Sequence, residues 1–257
     1  MRPRRLTPRF VEKIWGSTHL EPWFENRQNK IGEVWFETAD LPLLVKFLFT
    51  TDKLSVQVHP ADDYARLHHD SRGKTEMWHI LAADPGAKIA AGFREPVSAE
   101  KFKQAAASGE IENLLHWFDA RPGDTFFIPA GTVHAIGGGL ALCEIQQHSD
   151  VTYRLYDYGR PRELHLEHGA AVSHLGSHRA RPESHGELLV SCDYFTTSRW
   201  EIDGSRTHHP QGPELLIVIA GSGHLDDQPT SAGDVWFLPL VAESVSLRGR
   251  LTALHTF

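Results

Sequence analysis

Four side chains, spread over three segments of the chain, have the types and the spacing of a metal site. Gln57 and His59 stand two residues apart in a β-like run, so their side chains share one face of a strand. Glu76 opens a second apolar run, and His134 follows a turn rich in glycine and proline. Two imidazoles, a carboxylate and a carboxamide oxygen suit a divalent first-row metal, and they favour zinc. The sequence therefore predicts one metal ion held by Gln57, His59, Glu76 and His134.

The turn before His134 has a specific form. Gly123 is followed by five residues, Pro129, one residue, Gly131, two residues and then His134. This arrangement resembles the second motif of cupin barrels, in which the histidine points into the barrel. The first cupin motif has a histidine two residues before the one at position 59, and Gln57 stands there in this chain.

The glutamine narrows the resemblance to one family. The chain resembles the type I phosphomannose isomerases over about residues 7–165. The resemblance rests on Gln57 together with the segments at residues 54–63, 73–78, 128–139 and 144–154. The resemblance implies a zinc-dependent aldose–ketose isomerase with one Zn²⁺ per chain. Its substrate is a phosphorylated sugar, and it interconverts mannose 6-phosphate and fructose 6-phosphate through an enediolate.

The same resemblance suggests catalytic residues. It assigns catalysis to Arg154, and it places Lys74, Glu144 and Asp150 on motif positions. One of the two carboxylates shuttles the proton, or both only orient Arg154 and the metal ligands. The alternative for Arg154 is a structural ion pair with Asp150. The base stays unassigned, because Gly73 stands where some members of the family have a histidine.

A phosphorylated substrate also requires local donors in a chain of negative net charge. Ser55 shares the strand face of Gln57, and Lys74 shares that of Glu76 if the strand begins early enough. Arg160 stands where the family generally has a basic residue, although it could equally be an ordinary loop arginine. Ser55, Lys74 and Arg160 are therefore the predicted phosphate ligands.

Short runs rich in β-branched and aromatic residues, bounded by Gly, Pro or Asp, predict an all-β fold with a small helical insertion. The insertion covers about residues 98–117, with a helix beginning after Ser98 and a second over Glu110 to Trp117. With the cupin resemblance, the pattern predicts two jelly-roll barrels. Residues 1–175 form the catalytic barrel, and residues 176–257 form the linker and a second barrel, the polar linker itself lying at 174–187.

An internal repeat supports the second barrel. Residues 122–129 are echoed by residues 232–239, each copy ending in proline. No histidine follows Pro239 in the manner of His134. The second barrel is therefore predicted to bind no metal and to carry no catalytic residue.

Composition excludes several classes of protein. The chain has 257 residues, is 40% hydrophobic and has a net charge of −7, which favours a sizeable core and disfavours nucleic acid as a partner. Neither a secretory signal nor a membrane-spanning stretch is expected. Two distant cysteines, Cys143 and Cys192, indicate a reducing cytoplasm. The oligomeric state is left open.

Two other functions remain as alternatives at this point. A non-catalytic metal-binding cupin that senses a sugar phosphate would keep the metal ligands, but it would not need Lys74 and Arg154 as well. A cupin oxygenase would usually have a His-x-His pair, and Gln57 disfavours it.

Overall fold

The computed structural model describes residues 2–177, 186–240 and 244–257. The described part of the chain is mainly β. Its strands are β1 Arg4–Arg5, β2 Arg9–Ser17, β3 Ile31–Glu37, β4 Leu43–Thr50, β5 Val56–Val58, β6 Glu76–Ala83, β7 Lys88–Phe93, β8 Leu115–Asp119, β9 Thr125–Ile128, β10 His134–Ile136, β11 Leu140–Gln147, β12 Tyr153–Tyr156, β13 Leu188–Ser191, β14 Thr196–His208, β15 Glu214–Leu225, β16 Gln228–Ser231, β17 Val235–Leu238 and β18 Val245–Thr256.

The helices are short: α1 Asp62–His69, α2 Ala99–Ser108, α3 Ile111–Leu114 and α4 Leu166–Val172. The predicted start of α2 is confirmed, because the Ser98 hydroxyl accepts a hydrogen bond from the Lys101 amide at 3.2 Å. The predicted helix over Glu110 to Trp117 is wrong in its second half. The chain there becomes β8 and pairs with β7, so the helical insertion ends at Leu114. No helix in the described ranges is long and apolar enough to cross a membrane.

The strands form three sheets. The six-stranded sheet has the order β2-β3-β4-β11-β6-β9, and the five-stranded sheet has the order β12-β5-β10-β7-β8. The seven-stranded sheet has the order β1-β17-β15-β18-β14-β13, with β16 paired to β15. The predicted mainly β class with a small helical part is confirmed. The sheets are open along these paths, and closure into two barrels stays a prediction.

The six-stranded sheet is the middle layer, because it packs on both faces. Val45 and Phe47 of β4 belong to a core that includes Ile217 of β15. Leu48 of the same strand joins a second core with Ile89 of β7, on the side of the five-stranded sheet. Strand β4 is consequently buried along its whole length. Polar side chains on its second face therefore lie in the interior between the two amino-terminal sheets.

The two ends of the chain meet in the seven-stranded sheet. Strand β1 pairs with β17, so the first described residues complete the carboxy-terminal sheet rather than the sheets of residues 9–156. The predicted linker at 174–187 falls largely on residues 178–185, which lie outside the described residues.

Candidate active site and metal centre

Neighbouring strands bring the predicted metal ligands together. His134 at the start of β10 lies directly opposite Gln57 of β5, and His59 follows that strand. The turn before His134 is fixed to His59, because the Gly131 amide donates to the His59 carbonyl at 2.8 Å. Gly131 has a φ of +85°, and a Cβ there would lie 2.8 Å from the His174 ring. The glycine of this motif is therefore required by both its backbone conformation and its surroundings.

Both imidazoles are oriented with Nδ1 toward a backbone carbonyl and Nε2 toward the Glu76 carboxylate. His59 Nδ1 lies 3.0 Å from the Val151 carbonyl, and His134 Nδ1 lies 2.8 Å from the Thr132 carbonyl. A ring that donates its Nδ1–H to a carbonyl has a lone pair on Nε2. The two Nε2 atoms face the Glu76 carboxylate, at 3.7 Å for His59 and 3.6 Å for His134.

The donor set fits a divalent cation. The metal-binding atoms of His59, Glu76 and His134 all lie within 4.8 Å of one another, and all three residues are buried. One carboxylate oxygen of Glu76, Oε1, is buried without a hydrogen-bond partner. Burial, with repulsion from Glu144, raises the pKa of Glu76 to about 7, and burial lowers the pKa of His134 to about 4. Neutral imidazoles beside an undersatisfied carboxylate are the state that a divalent metal requires.

Gln57 borders this group. Its amide nitrogen, rather than its oxygen, faces His134, 3.2 Å from Nε2. Its oxygen accepts a hydrogen bond from the Ser55 hydroxyl at 3.1 Å, which fixes the amide in this orientation. The side chain is adjacent to His134, and its role as the fourth ligand stays a prediction.

Lys74 and Glu144 extend the group along the six-stranded sheet. The Lys74 ammonium lies 3.1 Å from His59 Nε2, contacts Glu76 directly, and lies 3.6 Å from Glu144. Glu144 accepts a hydrogen bond from the Trp78 indole at 2.9 Å and pairs with Lys46 at 3.0 Å. Burial opposes ionisation of Glu144, but the charges of Lys46 and Lys74 outweigh it and hold its pKa at about 2. The two carboxylates and two ammonium groups therefore form one buried network.

A cavity of about 280 Å³ opens beside this network. It is lined by Ser55, Gln57, Lys74, Glu144, Asp150 and Arg154 among the predicted residues. Five cationic and three anionic side chains contribute to its wall: Lys13, Lys46, Lys74, Arg154 and Arg162, with Glu33, Glu144 and Asp150. The surplus of positive charge suits a phosphorylated ligand.

Arg154 lies on the cavity face. It pairs with Gln57 across β12 and β5, so both side chains project from the same side of the sheet. Its Nη1 donates to the Glu163 carbonyl at 2.8 Å, and its buried Nε has no hydrogen-bond partner. No ion pair joins Arg154 to Asp150, both of which lie in the described part of the chain.

The structure separates two arginines that the sequence does not distinguish. Arg160, the predicted phosphate ligand, is outside the cavity wall, and its guanidinium contacts Asp52 at 2.7 Å and Asp157 at 3.2 Å. Arg162 lines the cavity and contacts Asp157 through Nε and Nη2, at 2.6 and 2.7 Å. Of the two arginines, Arg162 is therefore the one in the cavity wall, and a phosphate-binding role for Arg160 stays a prediction.

Two cations of the cavity wall, Lys46 and Arg162, were not predicted from the sequence. Lys46 had a signal, because it is the single charged residue in the apolar strand β4. Arg162 had none, since its neighbour Arg160 looks equivalent in the sequence. The departure at Gly73 also has a structural reason: a Cβ at Gly73 would lie 2.6 Å from the Asp62 amide nitrogen. A histidine cannot occupy this position without a change in the backbone.

Comparisons with known proteins identify the family. A family profile for the catalytic domain of type I phosphomannose isomerase matches residues 7–79. The chain is 35% identical to the mannose-6-phosphate isomerase ManA of Bacillus subtilis, over 96% of both chains. A crystal structure of the mannose 6-phosphate isomerase from Bacillus subtilis superposes with a TM-score of 0.89 at 29% identity, covering 100% of each chain. A zinc-bound mannose 6-phosphate isomerase at 17% identity shares the fold, with a TM-score of 0.79 over 100% of this chain and 99% of its own.

Proposed function

The chain belongs to the type I mannose-6-phosphate isomerases, and we propose that it interconverts mannose 6-phosphate and fructose 6-phosphate. The reaction takes place in the cavity beside Lys74. The protein is an aldose–ketose isomerase that acts on a phosphorylated sugar. The observation that carries this conclusion is the union of a metal-ligand group with a cation-rich cavity on one sheet face. A non-catalytic sensor would need the cavity but not the buried network of Lys74 and Glu144.

The phosphate is held at the outer wall of the cavity. The Arg162 guanidinium is anchored by Asp157 through Nε and Nη2, so its remaining N–H groups are free to donate. Ser55 lies on the same strand face as Gln57 and lines the cavity, and its hydroxyl supplies a second donor when it turns from the Gln57 oxygen to the phosphate. Arg160 is the weaker candidate, because it lies outside the cavity wall and Asp52, Asp157 and the Lys53 carbonyl accept three of its five N–H groups.

Proton transfer takes place at the inner end, beside Lys74 and Glu144. Isomerisation removes the proton from C2 of the aldose and returns it to C1, and a second proton moves from the C2 hydroxyl to the C1 oxygen. Glu144 is an ionised carboxylate in the cavity wall and orients the Lys74 ammonium, and the base that carries the carbon-bound proton stays unassigned. The ammonium of Lys74 donates to the oxygen on which negative charge develops. Arg154, in line with Gln57, stabilises the same charge from the opposite wall. Asp150 orients the sugar from the mouth of the cavity.

His59, Glu76 and His134, with Gln57 beside them, hold one Zn²⁺. Zinc is favoured because two imidazoles and a carboxylate are its usual catalytic ligand set. When bound, the ion supplies Lewis-acid polarisation of the sugar oxygens at the carbons between which the proton moves. The chain's own groups hold the phosphate, move the proton and stabilise the developing charge.

The three sheets are arranged as two jelly-roll barrels in this proposal. The six- and five-stranded sheets share a core and form the catalytic barrel, and the seven-stranded sheet curls into the second. A cytoplasmic location is proposed as well, and its support is that Cys143 and Cys192 are unpaired thiols. The net charge of −7 argues against nucleic acid as a partner.

The test joins metal analysis to a coupled assay for fructose 6-phosphate formed from mannose 6-phosphate. We expect turnover by zinc-loaded protein, loss of turnover after chelation, and recovery when Zn²⁺ is added back. Arg162→Met should raise KM severalfold more than the matched Arg160→Met. Binding of mannose 6-phosphate without any product would instead identify a sugar-phosphate sensor.

A further inference from the structure

The seven-stranded sheet contains a second group of metal-binding side chains, formed by His208, Glu214 and His255. Their ligand atoms lie within 4.8 Å of one another. Nε2 of His208 lies 2.6 Å from Glu214 Oε2, and Nε2 of His255 lies 2.7 Å from the same oxygen. Glu214 and His255 are buried, and His208 is half-buried. Two imidazoles therefore converge on one carboxylate from two different strands.

The register of the strands gives Glu214 the same position as the metal ligand Glu76. Glu76 pairs with Ile128, the residue before Pro129, and Glu214 pairs with Leu238, the residue before Pro239. The glycine that precedes each of these proline-ended strands makes the same contact as well. Gly123 donates to the carbonyl of Ile80, four residues after Glu76, and Gly233 donates to that of Val218, four residues after Glu214.

The two histidines also stand at positions that form the first site. His255 pairs with Leu216, two residues after Glu214, just as Glu144 pairs with Trp78, two residues after Glu76. His208 pairs with Val245 as Gln57 pairs with His134, so His208 takes the position of Gln57. Val245 accordingly stands where the first site has its histidine. The seven-stranded sheet therefore has no histidine at that position, and it has imidazoles at the positions of Gln57 and Glu144.

The surroundings fix these side chains in place. The backbone N–H of Gln211 donates to the other oxygen of Glu214, Oε1, at 2.9 Å. The Trp200 ring stacks on His255, with centroids 4.2 Å apart and planes at 19°. The Glu214 carboxylate is thus held at both oxygens, by His208 and His255 at Oε2 and by Gln211 at Oε1, in the fixed orientation that a metal ligand requires.

We propose that His208, Glu214 and His255 form a second, non-catalytic site for a divalent first-row transition metal such as Zn²⁺. The ligands come from β14, β15 and β18, so a bound ion joins three strands of the seven-stranded sheet. His208 is at the end of β14 and partly exposed, and it gives the ion a route from solvent. Three protein ligands leave the fourth position of a tetrahedral ion to water. The prediction that this half of the chain binds no metal rested on the missing histidine after Pro239, and other positions supply the ligands instead.

Metal counting tests the proposal, which does not depend on the isomerase activity. Four proteins are loaded with Zn²⁺, desalted and analysed: the unsubstituted chain, His208→Asn, the pair His59→Gln with His134→Gln, and all three substitutions together. We expect two, one, one and no Zn²⁺ per chain, respectively. One Zn²⁺ in the unsubstituted chain and none in the His59, His134 pair would overturn the proposal and leave a hydrogen-bonded triad.

A second readout uses the neighbouring tryptophan. In the His59→Gln, His134→Gln background, Co²⁺ bound at this site should quench the emission of Trp200, which is stacked on His255. The quenching should disappear in two further variants of this background, Trp200→Phe and His255→Gln, whose folding is checked by circular dichroism. Unchanged emission on addition of Co²⁺ would contradict a metal at this position, whichever variants fold.

Discussion

Arg154 lies directly opposite Gln57 across strands β12 and β5, so a proposed catalytic cation and a proposed metal ligand project from the same face of one sheet. On the other side of Gln57, the next strand places His134 in the same row. The row of His134, Gln57 and Arg154 spans β10, β5 and β12 and runs from the metal centre to the cavity wall. Arg154 can therefore reach a substrate group that is close to the metal.

This row predicts that Arg154 acts on the transition state. Arg154→Ala should lower kcat by a factor on the order of 10², as for loss of one oxyanion donor. KM should change little, because an interaction made only in the transition state does not tighten substrate binding. Steady-state kinetics with mannose 6-phosphate measures both. Near-normal kcat with a greatly raised KM would reassign Arg154 to the phosphate, and Arg154→Lys tests whether charge alone suffices.

Lys74 should be needed for catalysis but not for metal binding. Its ammonium contacts Glu76 and His59, so it lies against the ligand atoms without supplying one of them in the charged state. Lys74→Met should lower kcat by about 10² or more, the range for loss of a positioned proton donor. Zinc content should equal that of the unsubstituted protein. Loss of zinc in this variant would show that Lys74 organises the ligands instead.

The metal ligands give a third prediction. His59→Ala with His134→Ala should remove the ion and all measurable activity, because only Glu76 and Gln57 would remain. Metal is best counted in a His208→Asn background, so that the second proposed site does not contribute. Circular dichroism serves as the control for folding. Stoichiometric zinc in the folded triple variant would refute the assignment of the ligands.

The elements of the site were predictable from the sequence where the signal is local. Short runs of β-branched and aromatic residues between turn residues predict strands over residues 125–128 and 235–238, which are the observed ranges of β9 and β17. The apolar pattern predicts strands only over residues 195–201 and 244–247, whereas β14 extends to His208 and β18 to Thr256. The missed part of β14 is mostly exposed, and in β18 the exposed residues Arg248 and Arg250 interrupt the pattern before the buried end of the strand. The group of His59, Glu76 and His134 was predictable because each residue belongs to a short motif.

Pairing between distant strands is what the sequence conceals. Lys46 meets Glu144, and His255 meets Glu214, only through the register of strands far apart in the chain. A shift of one residue in either ladder would turn these side chains to the opposite face. The resemblance to the family supplied candidate site residues within about residues 7–165, but it supplied none in the seven-stranded sheet.

His79 predicts how stability depends on pH. It is three residues past Glu76 on the other face of β6, near a cavity of about 670 Å³ that is also lined by Trp23, Arg199 and Ile219. Its Nδ1 lies 3.0 Å from the Thr125 hydroxyl. Burial, with the charge of Arg199, lowers the pKa of His79 from 6.5 to about 4.

Between these two pKa values the unfolded chain binds a proton that the folded protein does not. Stability from this residue is therefore fully present above pH ~6.5 and declines as the pH falls toward ~4, by on the order of 3 kcal/mol in total. Denaturant unfolding at several pH values measures the decline, with metal held constant. In His79→Gln, which keeps a polar group near Thr125, the curve of unfolding free energy against pH should be flatter over this interval. Other acid-sensitive groups contribute equally to both proteins, so the difference between the two curves isolates His79. Parallel curves would mean that the imidazole is protonated in the folded protein without penalty, through water entering the cavity beside Arg199.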